Sequence, residues 1–442
     1  MKPPASNLNH ALLARSLAAV WHPCTQMKQH ETLPLIPVAS ARGCWLYDFN
    51  GHRYLDAVSS WWVNLFGHAN ARINAALIEQ LSQLEHAMLA GFTHQPVVTL
   101  SERLAKLTGG QLGHCFYGSD GASAIEIALK MSFHYWRNCG RARKSQFVSI
   151  AGSYHGETLG ALSVTDVALF KDTYAPLLRT SVCVTSPDSR LAAAGESAHD
   201  YALRCAEQLQ QHLATHHEST AAVILEPLVQ GASGMVMYDA VYVRRAREIC
   251  DRYEVHLIAD EIMTGFGRTG TFFAHEQAGI TPDFLCLSKG ITGGYLPLSV
   301  VLTRDAIYTA FYDDAVTRGF LHSHSYTGNA LACRAALATL DIFEADDVIA
   351  ANRNKATLMN TLVEPLAHHA RVRDLRNTGM IWAFEVDSAD AHIGRRIHEA
   401  ALARELLLRP IGNTVYFMPP YTITDEECAL LVERTLDIVE SL

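Results

Sequence analysis

Short apolar runs alternate with amphipathic stretches through the middle of the chain. The stretches YALRCAEQLQQHL and AVYVRRAREICDRYE place apolar residues three and four positions apart, which predicts helices. Between them lie short runs bounded by turn residues, which are typical of buried strands. These runs are QFVSI (146–150), AAVILEP (221–227), VHLIAD (255–260) and DFLCLSK (283–289). Near-continuous apolar strands that alternate with helices predict an α/β fold with a mostly parallel sheet.

The pattern changes towards both ends of the chain. DDVIAANRNKATLMNTLVEPLAHH predicts one long helix, and GMIWAFEV and TVYFMPPYTIT predict strands with a helix between and after them. GCWLYDFNGHRYLDAVSSWW predicts a hairpin that turns at Asn50-Gly51. Because 442 residues are too many for one core, we predict two domains. The large one spans 60–344, and a smaller α+β domain is formed by both ends, 1–59 and 345–442.

Composition narrows the classes of partner and compartment. The formal net charge of −9 offers no basic surface for nucleic acid or an anionic membrane. No apolar run approaches the ~20 residues of a membrane helix, and Arg15 interrupts the apolar N-terminal stretch, so no signal peptide is expected. The ten cysteines form no C-x-x-C pair and are interpreted as reduced thiols. We expect a cytoplasmic protein that acts on small molecules.

Two charged residues stand where strands of the predicted sheet end. Ligands of such sheets bind at the carboxyl ends of the strands. Lys289 closes the run DFLCLSK, and Asp260 closes VHLIAD, 29 residues earlier (289 − 260). Pyridoxal phosphate (PLP) needs a lysine amine bonded to its aldehyde and a carboxylate that keeps its ring nitrogen protonated. The alternatives are that Lys289 extends to solvent and that Asp260 caps the next segment.

Other turns after strands offer groups for a phosphate and a ring. In CFYGSDGASAIEIALKMSFHYW a strand ends at Tyr117, a turn follows, and a helix opens whose backbone N–H groups suit a phosphate. A plain helix N-cap is the alternative. Tyr154 and His155 follow the strand FVSI, where an aromatic ring could cover a cofactor or only pack.

Two further motifs are interpreted as non-functional. GFGRTG (265–270) matches G-x-G-x-x-G, but residues 261–264 separate it from the strand and no amphipathic helix follows, so a dinucleotide site is not expected. His322 and His324 are spaced as metal ligands could be, yet a third ligand is missing, and we expect no metal.

The motifs together resemble a known family. LIADEIMTGFGRTGTFFAHEQAGITPDFLCLSKGITGGYLPLS resembles the signature of the class-III aminotransferases, which are PLP-dependent transferases of fold type I. YGSDGASAIEIALK, AGSYHGET, ILEPLVQGASGM and HSYTGNALAC match the family in the same order, over almost the whole chain. The resemblance implies a large domain with a mostly parallel sheet, a smaller α+β domain and a PLP-dependent transamination.

The resemblance also implies roles for single residues around the cofactor. Lys289 is bonded to the cofactor and later moves a proton on the substrate. Asp260 pairs with the pyridine nitrogen, and Tyr154 stacks on the ring. The backbone N–H groups of Gly121 and Ala122 take the phosphate.

The resemblance implies further roles at the rim of the cofactor ring, at the contact with the partner subunit and in substrate binding. Glu226 lies near the rim of the ring, and Ser325 extends to the phosphate from the partner subunit of a homodimer with shared active sites. Trp61 and Trp62 line the substrate slot, and Arg409 binds the carboxylate of the keto acid. Taken from the residues alone, Arg409 could instead form an internal ion pair. On a strand the tryptophans would face opposite ways, so that only one touches substrate.

Three segments resemble one member of the family more closely and bear on the substrate: WHPCTQM, AVSSWWVNLFGH and LLLRPIGNTVYFMPPYTIT. Cys24, Ala122 and Glu157 depart from residues common in the family. The alternatives are another ω-aminotransferase, acting on a diamine, 4-aminobutyrate or β-alanine, and a PLP-dependent aminomutase or decarboxylase. A PLP-binding regulator would need a nucleic-acid module, and no basic helix pair is present in the sequence.

Overall fold

The computed structural model describes residues 5–33 and 35–442. The chain divides into two compact units. The terminal unit comprises Met1–Ala71, Thr357–Leu375 and Phe384–Leu442, and the central unit comprises Arg72–Ala356 and Arg376–Ala383. The domain boundaries at residues 60 and 345 stay predictions.

Helices account for most of the regular structure. The α-helices are Ala5–Ala19, Ala71–Leu81, Gln95–Leu107, Gly121–Asn138, Leu159–Val164, Ala168–Lys171, Ala198–His216, Val241–Arg252, Asp305–Thr309, Ala330–Ala345, Val348–Leu362, Glu364–Ala367, Ile393–Leu402 and Asp425–Ser441, and Ser59–Trp62 forms a short left-handed helical turn. The 3₁₀ helices are Met27–Glu31, Asp172–Leu177, Ser189–Leu191, Ala274–Ala278, Lys289–Thr292 and Val316–Arg318. In the described residues, no helix is both long and apolar enough to cross a membrane.

A seven-stranded sheet forms the framework of the central unit. Its strands, in spatial order, are His114–Gly118, Ser299–Thr303, Phe284–Leu287, His256–Asp260, Thr220–Leu225, Gln146–Ile150 and Val182–Val184. Only Ser299–Thr303 runs antiparallel to its neighbours; the other pairs are parallel. The four apolar runs of the sequence are adjacent strands of this sheet, so the predicted α/β fold with a mostly parallel sheet is confirmed.

One helix covers the face of the sheet beneath the functional turns. Gly121–Asn138 buries Ile125, Ala128 and Met131 in a cluster with sheet residues such as Ile258 and Phe284. Each fully buried aliphatic or aromatic side chain contributes roughly 1.5–3 kcal/mol. The start of this helix is thereby fixed against the sheet.

Smaller sheets complete the fold. One has four strands, Val38–Arg42, Trp45–Asp48, Arg53–Asp56 and Leu406–Leu407; one has three, Val372–Thr378, Ile381–Val386 and Thr414–Phe417; and one has two, Val229–Gln230 and Val236–Met237. The predicted hairpin is confirmed, because Trp45–Asp48 pairs antiparallel with Arg53–Asp56 and Gly51 turns with φ +88°.

The single long helix predicted after residue 345 is wrong. The segment forms two helices, Val348–Leu362 and Glu364–Ala367. Proline near the start of the second, at Pro365, has no N–H to continue the first helix.

Candidate active site

Lys289 and Asp260 lie at the ends of neighbouring strands. Asp260 is the last residue of its strand and stands opposite Cys286 in the parallel pairing with Phe284–Leu287. Lys289 opens a 3₁₀ turn directly after that second strand. The electrostatic interaction with Asp260 and Glu226 raises the pKa of Lys289, but burial lowers it more, so the net pKa lies below the ordinary value.

Lys289 adopts a backbone conformation that lysine rarely takes. Its φ is +43°, in the left-handed region, which costs an L-residue roughly 1–2 kcal/mol. Its side chain is surrounded by protein yet keeps part of its surface accessible. A buried amine with a lowered pKa has a larger neutral fraction than an ordinary lysine, and the neutral amine is the form that reacts with an aldehyde.

His155 holds the carboxylate of Asp260. Its Nδ1 donates to Asp260 Oδ2 at 2.7 Å, and both side chains are buried. The Ile262 N–H donates to Asp260 Oδ1 at 3.1 Å, which is the local cap that the alternative predicts. Capping does not account for the histidine. His155 is absent from the predicted site, and its place beside Tyr154 after a strand is the signal that could have found it.

Glu226 is a fully buried carboxyl group at the end of the next strand. Its oxygens accept from the backbone N–H groups of Tyr154 at 2.9 Å and Gly231 at 3.0 Å. Burial raises the pKa of Glu226 to about 7, against the opposing effect of His155 and with a further increase from Asp260. Glu226 therefore changes charge near neutral pH.

Tyr154 is partly accessible beside this cluster. Its hydroxyl donates to Glu157 at 2.8 Å, and its ring centroid lies 5.2 Å from that of Phe170. Glu157, which departs from the family pattern, is thus the acceptor that orients the ring of Tyr154.

The turn predicted to bind phosphate contains a side-chain N-cap and also N–H groups that could take a phosphate. Asp120 is the N-cap, and its Oδ1 accepts from the Ser123 N–H at 2.9 Å. Gly121 and Ala122 occupy the first two positions of the helix, where N–H groups have no partner within the helix and attract anions. A Cβ added at Gly156, whose φ is +120°, would lie 2.6 Å from the Ala122 Cβ. The Tyr154 loop therefore packs tightly on this turn.

The segment GFGRTG does not form a dinucleotide site. Its strand is followed by turns and by the 3₁₀ helix Ala274–Ala278, where a dinucleotide fold requires a glycine turn and a long helix. Glu261 accepts from the backbone N–H groups of Ala274 at 2.6 Å and His275 at 2.8 Å, and these bonds fold the loop back on itself.

The histidine pair lies beside the turn that contains Ser325. His322 Nδ1 lies 2.8 Å from Lys130 Nζ, and His324 Nδ1 lies 3.1 Å from Ser119 Oγ. Within the part of the chain that the structure describes, no group of three or more His, Cys, Asp or Glu residues could hold a metal ion. Ser325 is exposed, and its carbonyl accepts from His86 Nε2 at 2.9 Å.

The two tryptophans lie in the terminal unit, on a turn and not on the strand considered from the sequence. Ser59, Ser60, Trp61 and Trp62 have φ of +50°, +46°, +71° and +73°, which makes Ser59–Trp62 a left-handed turn. Such a conformation costs roughly 1–2 kcal/mol per residue. Trp62 is buried and donates from Nε1 to the Tyr416 hydroxyl at 3.0 Å, whereas Trp61 is 42% exposed. Of the two indoles, only that of Trp61 is largely accessible within this unit.

Arg409 packs on Trp61. Its guanidinium carbon lies 4.5 Å from the centre of the Trp61 ring. Across residues 5–33 and 35–442 it makes no ion pair and no hydrogen bond, so the internal ion pair considered from the sequence is not formed there. An arginine that lacks an anion keeps its N–H fork available for a carboxylate.

The central unit has the chemical groups that PLP requires. A buried amine with a lowered pKa, a carboxylate fixed by a histidine and the open N–H groups of a helix start all follow strands of one sheet. These groups match the aldehyde, the ring nitrogen and the phosphate of the cofactor.

Comparison with known proteins gives the class of the protein. Residues 26–439 match the family "Aminotransferase class-III". The chain belongs to this family of aminotransferases.

Individual relatives narrow the comparison. The chain is 48% identical to adenosylmethionine-8-amino-7-oxononanoate aminotransferase of Helicobacter pylori, over 99% of each chain. The crystal structure of the Methanocaldococcus jannaschii enzyme of that name is similar with a TM-score of 0.92 and 34% identity, over 98% of this chain and 99% of that one. An amine transaminase from an uncultivated Pseudomonas species, in its PLP-bound form, has a TM-score of 0.90 and 32% identity, over 96% and 98%.

Proposed function

We propose that this protein transfers an amino group from S-adenosylmethionine to 8-amino-7-oxononanoate and so forms 7,8-diaminononanoate, a step of biotin biosynthesis. The observation that carries the chemistry is the buried Lys289 beside the Asp260–His155 pair at neighbouring strand ends. The likeness to the aminotransferases above supports the choice of substrates.

PLP is the cofactor, and when bound it supplies an aldehyde that takes up the amino group and a ring that accepts electrons. Lys289 Nζ holds the cofactor between turnovers and moves the proton on the substrate in both halves of the reaction. Asp260, oriented by His155, keeps the ring nitrogen protonated. Gly121 and Ala122 hold the phosphate.

The surroundings orient the cofactor and limit its freedom. Tyr154 would cover the ring of the cofactor, and its backbone N–H donates to the carboxylate of Glu226, which would lie at the rim of that ring. Because one amine serves donor and acceptor in turn, ping-pong kinetics are expected.

The substrate-binding residues lie in the terminal unit. Arg409, whose guanidinium lacks an anion among the described residues, binds the carboxylate of the acceptor. Trp61 lines the slot for its apolar chain, and Trp62 anchors the turn that carries Trp61 through its bond to Tyr416. The terminal carboxylate of 8-amino-7-oxononanoate suits the guanidinium of Arg409, and its long aliphatic chain suits an indole surface.

The protein acts as a cytoplasmic homodimer with shared sites, in which Ser325 serves the phosphate bound by the partner subunit. The exposed turn at Ser325, flanked by Leu321 and Tyr326 with 79% and 65% exposure, is suited to such an interface. Sedimentation should give about twice the chain mass of 48.6 kDa. A fully active monomer would contradict the shared site.

A donor panel with 8-amino-7-oxononanoate as acceptor tests the proposed function. We expect turnover with S-adenosylmethionine and none with putrescine, 4-aminobutyrate or β-alanine. Turnover with lysine alone would change the donor but keep the acceptor. Absence of 7,8-diaminononanoate with every donor would overturn the assignment.

A second candidate is another ω-aminotransferase. An ω-transaminase of Pseudomonas jessenii has a TM-score of 0.93 with 27% identity, so the fold alone does not separate the two activities. Pyruvate and 2-oxoglutarate as acceptors in the same panel distinguish them. Donor alone should also convert the cofactor from its aldehyde to its amine form, which a decarboxylase or aminomutase would not do.

A further inference from the structure

One buried carboxylate makes two hydrogen bonds to the left-handed turn Ser59–Trp62. Asp56 is inaccessible to solvent at the end of the strand Arg53–Asp56. Its Oδ1 accepts from the Ser60 N–H at 2.9 Å, and its Oδ2 accepts from the Ser60 hydroxyl at 2.7 Å. Four successive non-glycine residues with positive φ persist only where the surroundings fix them. Asp56 supplies two of these fixing bonds to the same residue of the turn.

A histidine completes the contacts of this carboxylate. His68 Nε2 lies 3.0 Å from Asp56 Oδ2. The side-chain amide nitrogen of Asn64 lies 3.1 Å from His68 Nδ1, so Nδ1 accepts from Asn64 and Nε2–H donates to Asp56. Both oxygens of Asp56 are thus occupied by donors from the segment that contains the two tryptophans.

The turn separates the two indoles. On one side Trp62 is anchored by its bond to Tyr416, and Ser59 Oγ donates to the Met418 carbonyl at 2.7 Å. On the other side Trp61 presents its ring to the Arg409 guanidinium. A ring face against the guanidinium plane fixes the orientation of that plane while leaving its N–H edge open.

We propose that Asp56 is a positioning residue for carboxylate recognition, because it locks the turn that holds Trp61 against Arg409. Asp56 does not touch the substrate; it acts through Trp61 on the direction of the Arg409 fork. The inference rests on the proposed function, in which Arg409 binds the acceptor carboxylate.

The test is a double-mutant cycle on the PLP-loaded enzyme with two readouts. One is the KM for 8-amino-7-oxononanoate, and the other is the Kd of nonanoate, a carboxylate with a comparable apolar chain that requires no turnover. Arg409→Ala is expected to weaken both about ten- to a hundredfold. Asp56→Asn should weaken both about five- to twentyfold, because the Asn N–H₂ would face donors. In the Arg409→Ala background Asp56→Asn should change neither more than about twofold.

Asp48→Asn is the matched control. Asp48 also ends a strand of the same sheet, is buried and accepts from a histidine, His52 Nδ1 at 2.9 Å, but no bond joins it to the tryptophan turn. The Asp48→Asn substitution should leave the KM for 8-amino-7-oxononanoate, the Kd of nonanoate and the absorbance of the bound cofactor unchanged. Asp56→Asn should also keep that absorbance, which shows that the cofactor site is intact.

If Asp56→Asn does not fold, Trp61 decides the question. Trp61→Leu should reproduce the loss of Asp56→Asn, and Trp61→Phe should restore binding to within about threefold of wild type, since a phenyl ring keeps a face for the guanidinium. Three results would overturn the inference. Asp56→Asn could have the same effect with and without Arg409, it could have the same effect as Asp48→Asn, or the wild-type protein could fail to bind nonanoate. Failure of the proposed function would instead show in the wild-type donor panel, while the nonanoate cycle still decides the role of Asp56.

Discussion

Lys144 and Lys289 are both surrounded by protein in the central unit, yet their neighbours differ in kind. Lys144 Nζ donates to the carbonyls of His217 at 2.7 Å and Thr220 at 3.1 Å, and it lies 4.6 Å from the Trp136 ring centre. Burial lowers its pKa to about 8. Lys144 precedes the strand Gln146–Ile150, and its two bonds attach that segment to the connection between the helix Ala198–His216 and the strand Thr220–Leu225. These contacts are structural.

Lys289 faces carboxylates instead. Burial lowers its pKa as well, but Asp260 and Glu226 oppose the shift, and its backbone is left-handed. Burial and a lowered pKa are therefore common to both lysines and do not by themselves identify a catalytic group. What distinguishes Lys289 is its place at a strand end, beside a carboxylate that a histidine holds.

Removing each amine should separate activity from stability, and the larger effect belongs to Lys289. Lys289→Ala should lower turnover about 10⁴-fold or more, because the proton-transfer group is lost. The midpoint of urea unfolding of the cofactor-free protein should stay the same or rise, because a buried amine is removed while alanine keeps the same left-handed backbone. Steady-state kinetics and urea titration measure both. Retention of a tenth of wild-type activity would place the chemistry elsewhere.

Asp260→Asn tests whether the carboxylate near Lys289 is the partner of the ring nitrogen of the cofactor. The variant should keep PLP bound but lose about 10²- to 10³-fold in turnover, because a neutral amide does not hold the ring nitrogen protonated. The cofactor absorbance spectrum and the rate are the measurements. A near wild-type rate would mean that Asp260 is only the local cap of Ile262.

Lys144→Met should show the opposite pattern to Lys289→Ala. Methionine keeps most of the apolar stem but leaves two buried carbonyls without their donor, so the free energy of unfolding should fall by about 1–3 kcal/mol. Turnover at a temperature well below unfolding should match wild type. If activity falls with stability unchanged, the distinction between the two lysines is wrong.

A smaller effect concerns pH and Glu226. Burial raises the pKa of Glu226 from its ordinary value of 4.5 to about 7 in the folded protein. Between pH 4.5 and pH 7 the folded protein therefore keeps a proton on Glu226 that the unfolded chain has released. Stability of the cofactor-free protein should therefore fall as pH rises through this window, by roughly 2–3 kcal/mol from this group. Glu226→Gln should lack that component of the slope. Urea titrations of both proteins from pH 4.5 to 8 measure it, and identical slopes would contradict the shift.

The sequence allowed the sheet and its strand ends to be predicted, because continuous apolar runs and turn residues are local signals. Lys289 and Asp260 could be named for that reason. The strand-end position of His155 is also a local signal, but its bond to Asp260 joins residues 105 apart in sequence, so its role could not be assigned from the sequence. The turn at Trp61 and Trp62 could not be predicted either, since its left-handed form opposes the local preference and depends on Asp56 and Tyr416.

Covalent labelling compares the two lysines most directly. Borohydride reduction of the PLP-loaded protein, followed by peptide mapping, should place the reduced cofactor on Lys289 and leave Lys144 unmodified. The same treatment of Lys289→Ala should give no stoichiometric label, and that of Lys144→Met should give the wild-type pattern. A stoichiometric label on Lys144, or on any lysine other than Lys289, would contradict the assignment of the site.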